Sequence, residues 1–112
     1  MDCVFCKIIN KEIPSKVVFE NDAVIAFEDL NPVAPVHILV VPKNHMTDIM
    51  NVMEEDLKYL TEVCKVIQHI AREKQISEDG FRIVNNCGVN AGQSVGHIHF
   101  HIIGGKKLGE MA

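Results

Sequence analysis

The chain has 112 residues, 47% hydrophobic and 23% charged, with a formal charge of −4. That length supports one domain with a real core and leaves no room for a second. The negative balance excludes a nonspecific nucleic-acid coat, which needs a basic surface, but still admits a nucleotide in a local pocket. No apolar run reaches membrane-spanning length, so no membrane partner is expected. The N-terminus, with Asp2 and Lys7 and no long apolar stretch, does not read as a signal peptide. The expected setting is the cytoplasm, where four cysteines read as thiols or metal ligands rather than a disulfide frame.

The first motif is Cys3-Val4-Phe5-Cys6. A CxxC is half of a zinc site or a redox pair. No strand precedes it, which argues against redox. Zinc needs about two more ligands, and His45 and His97 are the attractive candidates. The alternative is two reduced cysteines at the core edge. Phe5, Ile8 and Ile9 recur at helical spacing until Ile13-Pro14-Ser15 breaks the segment. Two β-branched runs, Val17–Glu20 and Ala23–Glu28, flank Asn21-Asp22 and predict a hairpin.

Asp29 then precedes Pro32. On its own it reads as a turn or cap residue. His37-Ile38-Leu39-Val40-Val41-Pro42 is nearly continuous apolar sequence, which predicts a central strand covered on both faces. Asn51-Val52-Met53-Glu54 resembles a capping box with Asn51 as the cap. It opens one long helix over about 53–75, with an apolar stripe of Leu57, Leu60, Cys64, Ile67 and Ala71, and Val63 and Ile70 alongside. That stripe puts Cys64 in the core and His69 beside it. Phe81–Asn86 alternates as a strand. Asn86 is a turn residue, or its amide holds a phosphate oxygen or fixes the nucleophile's neighbours. The tail Lys106–Ala112 is short and polar, without a motif.

The densest chemistry lies in Gly92-Gln93-Ser94-Val95-Gly96-His97-Ile98-His99-Phe100-His101-Ile102-Ile103-Gly104. Alternation predicts a half-buried strand. Ile98, Phe100 and Ile102 then face the core, and His97, His99 and His101 form a row opposite, starting roughly 7 Å apart. Such a row is a polar face, a metal site, or a catalytic set in which one imidazole attacks and its neighbours hold its tautomer and protonate a leaving group. The preceding Asn90–Ser94 run forms turns. Gly92 and Ser94 would let backbone N–H groups and a hydroxyl approach an anion, which favours phosphoryl or nucleotidyl chemistry.

The run Gln93–Ile103 resembles the histidine triad motif, His-φ-His-φ-His-φ-φ with φ apolar. Cys3–Ile9, Ala26–Pro32 and Pro35–Lys43 extend the likeness over essentially the whole chain, nearest to the Hint-like branch of bacterial nucleoside phosphoramidate hydrolases. The order hairpin, strand, helix, strand, strand lacks βαβ repetition and reads as α+β. The resemblance implies an antiparallel sheet of about five strands, one long helix, a short N-terminal helix, and a homodimer whose sheets join.

The resemblance also implies the roles. A purine nucleotide would pack its base against Phe5, Ile8, Phe27 and Leu30, and Asp29 would hold the ribose. Asn86, Gly92, Gln93, Ser94 and Val95 would contact the α-phosphate. His99 is implied as the nucleophile, His101 with Ser94 as leaving-group acid, and His37 as the residue that orients the triad. No catalytic cofactor is implied. Some bacterial members carry a structural zinc on such a set, so Cys3, Cys6, His45 and His97 are its expected ligands. Rival readings are a dinucleoside polyphosphate hydrolase, a zinc-stabilised nucleotide-binding module without turnover, and a metal-dependent hydrolase that uses the triad as ligands. Gly96 stands where Hint relatives often carry a larger residue.

Overall fold

The computed structural model describes residues 3–111; Asp2 and Ala112, used above in reading the two ends of the chain, lie outside them. Helix α1 spans Val4–Ile9 and α2 spans Leu57–Glu73. The strands are β1 Val17–Glu20, β2 Val24–Glu28, β3 Val36–Pro42, β4 Phe81–Val84 and β5 Phe100–Gly104. They form one antiparallel sheet in the order β1-β2-β3-β5-β4. The α+β class and the short N-terminal helix are as expected.

β2 and β3 are covered on both faces, as their nearly unbroken apolar sequence requires. Val24, Ala26, Ile38, Val40 and Ile102 pack against Val63, Val66, Ile67, Ile70 and Ala71 of α2. On the other face Ile25, Phe27, Leu39 and Val41 pack against Cys3, Phe5 and Ile8. Leu39 pairs with His101 and His37 with Ile103, so His37 and His101 come up on the α1 face. Gly104 lets β5 pass close by: a Cβ there would sit 3.1 Å from Ile76 Cδ1 and from Phe81 Cβ.

Three expectations are corrected. The triad does not lie along one strand. β5 starts at Phe100, and only His101 belongs to it. The reason lies across the ladder. Val40 pairs with Phe100, so two residues further on in register the partners would be Pro42 and Ile98. Proline has no N–H to donate, and the Pro42 carbonyl is taken by the His97 ring at 2.8 Å. The ladder ends, and the Ile98 N–H turns to the Met46 carbonyl instead (2.7 Å).

The long helix also begins later than expected. Asn51 is not its cap but sits in a 3-10 turn, Ile49–Asn51, capped by Asp48. A second such turn, Glu54–Asp56, follows. Its Asp56 carboxylate accepts from the Met53 N–H at 3.0 Å while the Met53 carbonyl accepts from the Asp56 N–H at 2.9 Å. Three acids thus sit at the positive end of α2. Finally, Cys64 is exposed, not core. The buried stripe is Val63, Val66, Ile67, Ile70 and Ala71. At 100° per residue its centre lies about 90° from Cys64. Leu57, at the same edge, is half exposed.

Candidate active site

A cavity of about 310 Å³ opens between α1, β2 and the chain leading into β5. Its apolar wall includes Val4, Phe5, Ile8, Ile13 and Phe27; Ser15, Lys16, Glu28 and Asp29 supply polar groups. Leu30, Ser94, Val95, His99 and His101 also line it. Leu30 is almost fully exposed at the rim. Asn86, Gly92 and Gln93 lie outside the cavity wall and shape the adjoining loop. Gly92 has φ +74°, a left-handed value that favours glycine. Gln93 accepts from the Gly88 N–H and donates to the carbonyls of Thr47 and Val95. The Asn86 amide donates to the Ala91 carbonyl at 2.8 Å. A Cβ at Gly96 would meet nothing within 4 Å.

The three triad rings have different partners, and those partners assign their protons. His99 Nδ1 lies 2.8 Å from the His97 carbonyl. A carbonyl only accepts, so Nδ1 carries the proton and Nε2 keeps a lone pair. His97 is wholly buried. Its Nε2–H donates to the Pro42 carbonyl at 2.8 Å, which leaves Nδ1 bare. For His101 the proton is set at one remove. The Val33 N–H donates to His37 Nδ1 at 3.1 Å, so His37 carries its proton on Nε2. That group lies 2.9 Å from His101 Nδ1 and 3.4 Å from Asp29 Oδ2. The shorter contact makes His101 Nδ1 an acceptor, and His101 holds its own proton on Nε2. Side by side are therefore a ring with a free lone pair and a ring with a free N–H, their centroids 5.3 Å apart.

Burial, reinforced by neighbouring imidazoles, holds both His97 and His101 below the ordinary histidine range; the hydrogen bond to the Pro42 carbonyl pulls the other way on His97, and Asp29 does so weakly on His101. Both rings are therefore neutral near pH 7. In the unfolded chain they take up protons at about 6.5. Below that value the unfolded state binds more protons than the folded one, so stability falls as the pH drops from about 7 into that window. The melting temperature should level off above pH 7 and decline on acidification. Equal values at about pH 5.5 and 7.5 would refute neutral burial of these rings.

Phe5 is buried and stands edge-on to Phe27 (5.7 Å), His99 (5.0 Å) and His97 (6.0 Å). Its removal would empty the joint between the core and the site. Phe5→Ala should cost about 3–5 kcal/mol, read as a lower midpoint in urea.

Two clusters have metal-ligand composition: Cys3, Cys6, His45 and His97, and Asp29, His37 and His101. In the first, Cys3 Sγ is 3.3 Å and Cys6 Sγ 3.6 Å from His97 Nδ1, and Cys6 Sγ is 3.3 Å from His45 Nδ1. Tetrahedral zinc with the usual bond lengths needs sulfur–nitrogen edges of about 3.6 Å. His97 also offers Nδ1 already free of its proton. This donor set fits zinc. Burial, with the Cys3 hydrogen bond and charge behind it, pushes the Cys6 thiol up to about 11. A bound dication reverses that preference. The second cluster fits poorly, because the Val33 N–H holds the His37 proton on Nε2, the atom that would have to ligate. The triad as a whole is not a three-histidine metal site either: its rings are committed to different partners.

Several working groups escaped the sequence reading. The Asn85 amide, not that of Asn86, holds the His99 carbonyl, at 2.9 Å. Nothing in the sequence distinguishes the two neighbours. Val33 and Pro42 act through main-chain atoms, which residue type does not reveal. Ser15 and Lys16 reach the cavity only because the chain after α1 folds back beside β2.

Known proteins share this fold. The HIT domain family matches residues 10–108. A purine nucleoside phosphoramidase of Escherichia coli K12 is 41% identical over 110 residues, 98% of this chain and 92% of its own. The solved structure of a histidine triad protein from Clostridium difficile superposes with a TM-score of 0.95 at 51% identity, covering 100% of this chain and 97% of that one. A HIT family hydrolase from Legionella pneumophila gives 0.92 at 40%, covering 95% of each chain. The chain belongs to the HIT domain family. Within that family it is a hydrolase.

Proposed function

We propose that this protein hydrolyses the P–N bond of purine nucleoside 5′-phosphoramidates through a covalent nucleotidyl-histidine on His99. The observation that carries the reading is the fixed pair of tautomers: a bare Nε2 on His99 beside an N–H on His101. Similarity to the Escherichia coli purine nucleoside phosphoramidase supports the substrate class.

The base would lie against Phe5, Ile8, Phe27 and Leu30, and the Asp29 carboxylate would accept from the ribose hydroxyls. The α-phosphate would then rest over His99, near the Ser94 hydroxyl and the Val95 main chain. Asn86, Gly92 and Gln93 serve the phosphate by keeping that loop in shape. His99 Nε2 attacks phosphorus as the P–N bond breaks, and His101 Nε2–H, with Ser94, gives the departing amine its proton. His37 holds His101 in that tautomer. Water then attacks phosphorus as the P–Nε2 bond to His99 breaks, a proton from that water returns to His101, and the monophosphate leaves. Fixed donors meet the developing charge. Cys3, Cys6, His45 and His97 would hold a zinc ion whose contribution is structural.

The proposal includes a cytoplasmic setting and a homodimer with joined sheets. No helix among the described residues is long and apolar enough to cross a membrane. β1 and β4 are the sheet's two edge strands and offer the strand-to-strand contact a dimer needs. Light scattering checks the dimer by a mass twice that of the chain.

The catalytic test supplies purified protein with adenosine 5′-phosphoramidate and, separately, with a diadenosine polyphosphate. Release of ammonia and AMP from the first, faster than cleavage of the second, is expected. The reverse preference would replace the amine by a nucleotide as leaving group. Binding without turnover of either would leave only a nucleotide-binding module.

A further inference from the structure

We propose that the Cys3/Cys6/His45/His97 centre is a positioning device for the nucleophile, so that metal occupancy sets the tautomer and orientation of His99. This rests on the reading of His99 as the attacking group.

The coupling runs through one peptide unit, the bond between His97 and Ile98. Its C=O accepts from His99 Nδ1–H at 2.8 Å. Its N–H donates to the carbonyl of Met46, the residue after His45, at 2.7 Å. One imidazole of the cluster thus belongs to the residue that supplies this C=O, and the other to the residue just before the one that accepts its N–H. The His97 ring is tied at both nitrogens, to the Pro42 carbonyl and towards the two sulfurs. The His45 ring meets it edge-on at 4.7 Å. A cation that draws Nδ1 of both rings to the same point as the two thiolates fixes the plane of this peptide. The plane fixes the acceptor that chooses the His99 tautomer.

A second linkage comes from the other two ligands. Phe5 lies inside the Cys3–Cys6 turn and packs edge-on against His99 at 5.0 Å. The same ring forms part of the cavity wall. Fixing both sulfurs fixes Phe5. One face of the nucleophile and one wall of the nucleoside pocket thus depend on the same ion. Without it, His97 and His45 lose their common point, the peptide is free to tilt, and His99 is free to exchange its proton between Nδ1 and Nε2.

The test uses protein with ¹⁵N-labelled histidine, loaded with one equivalent of zinc or stripped of metal, with metal content measured on each sample. Long-range proton–nitrogen spectra report the ring tautomer directly. The loaded protein should show His99 as a single Nδ1–H tautomer. On stripping, its two nitrogen shifts should move towards each other, and AMP affinity should fall about tenfold as the wall loosens. His99 shifts that stay the same in loaded and stripped protein would overturn the coupling. Should the stripped chain unfold, His45→Gln leaves three ligands and should move the His99 shifts in the same direction; unmoved shifts there would again overturn it. The readout is independent of turnover. Undiminished hydrolysis by His99→Ala would refute the nucleophile assignment while leaving the tautomer measurement interpretable.

Discussion

His99→Ala is expected to lower kcat/KM for adenosine 5′-phosphoramidate by about four to six orders of magnitude, because covalent catalysis vanishes with the ring. The loss should appear mainly in kcat. The side chain is buried beside Phe5 and lines the cavity beyond the groups expected to hold the nucleoside. AMP should therefore still bind to the variant within a few-fold of wild type. Rapid acid quenching followed by mass spectrometry should trap a nucleotidyl adduct on wild type and none on the variant. An adduct on another residue, or a loss of less than about tenfold, would require a different attacking group. His101→Ala should behave differently: attack on a good leaving group such as a nitrophenolate survives, while attack on a poor amine leaving group is crippled, since only the second needs a proton in flight.

Zinc is expected to produce the largest gain in stability. A ligand that binds only the folded chain stabilises it by about 4 kcal/mol when free metal is a thousandfold above its dissociation constant. For a domain of this length that raises the melting temperature by roughly 15 °C. Calorimetry on stripped and reloaded protein checks it, with Cys6→Ser expected to lose most of the gain. The uptake must also release protons. The Cys6 thiol, pushed up to about 11 before metal binds, is protonated at neutral pH and has to give up its proton on ligation. Affinity should fall about tenfold per pH unit for each proton released as the solution is acidified. A melting temperature indifferent to zinc would leave the four residues as a packed cluster of thiols and imidazoles.

The fold was legible wherever periodicity is local. The β1–β2 hairpin, the doubly covered β3 and the amphipathic α2 follow from patterns read within ten or so residues. The extent of β5 was not, because it depends on a proline that meets the strand from across the sheet. The start of α2 was obscured because Asp48 and Asp56, not Asn51, make the capping bonds. Cys64 was misplaced by a stripe drawn through Leu57, although burial centres nearer Val63 and Ile70. In the site, residue type revealed the imidazoles and thiols. It did not reveal which ring nitrogen each imidazole leaves free. That is decided by the carbonyls of His97 and Pro42 and the N–H of Val33, main-chain groups that residue type does not reveal.

The early end of the β3–β5 ladder at Pro42 has one more consequence. Three identical side chains spaced two residues apart on a continuous strand would face the same way, and each would be a near substitute for the next. Here they are not interchangeable. One ring is turned to the sulfurs, one is tied to the His97 carbonyl and one to His37, and only the last two line the cavity. No spare imidazole waits behind His99, so under the proposed mechanism losing any one of the three removes a role its neighbours have no way to restore. Repetition in the sequence has become specialisation in space, and the residue that separates the three roles is a proline with no part in the chemistry.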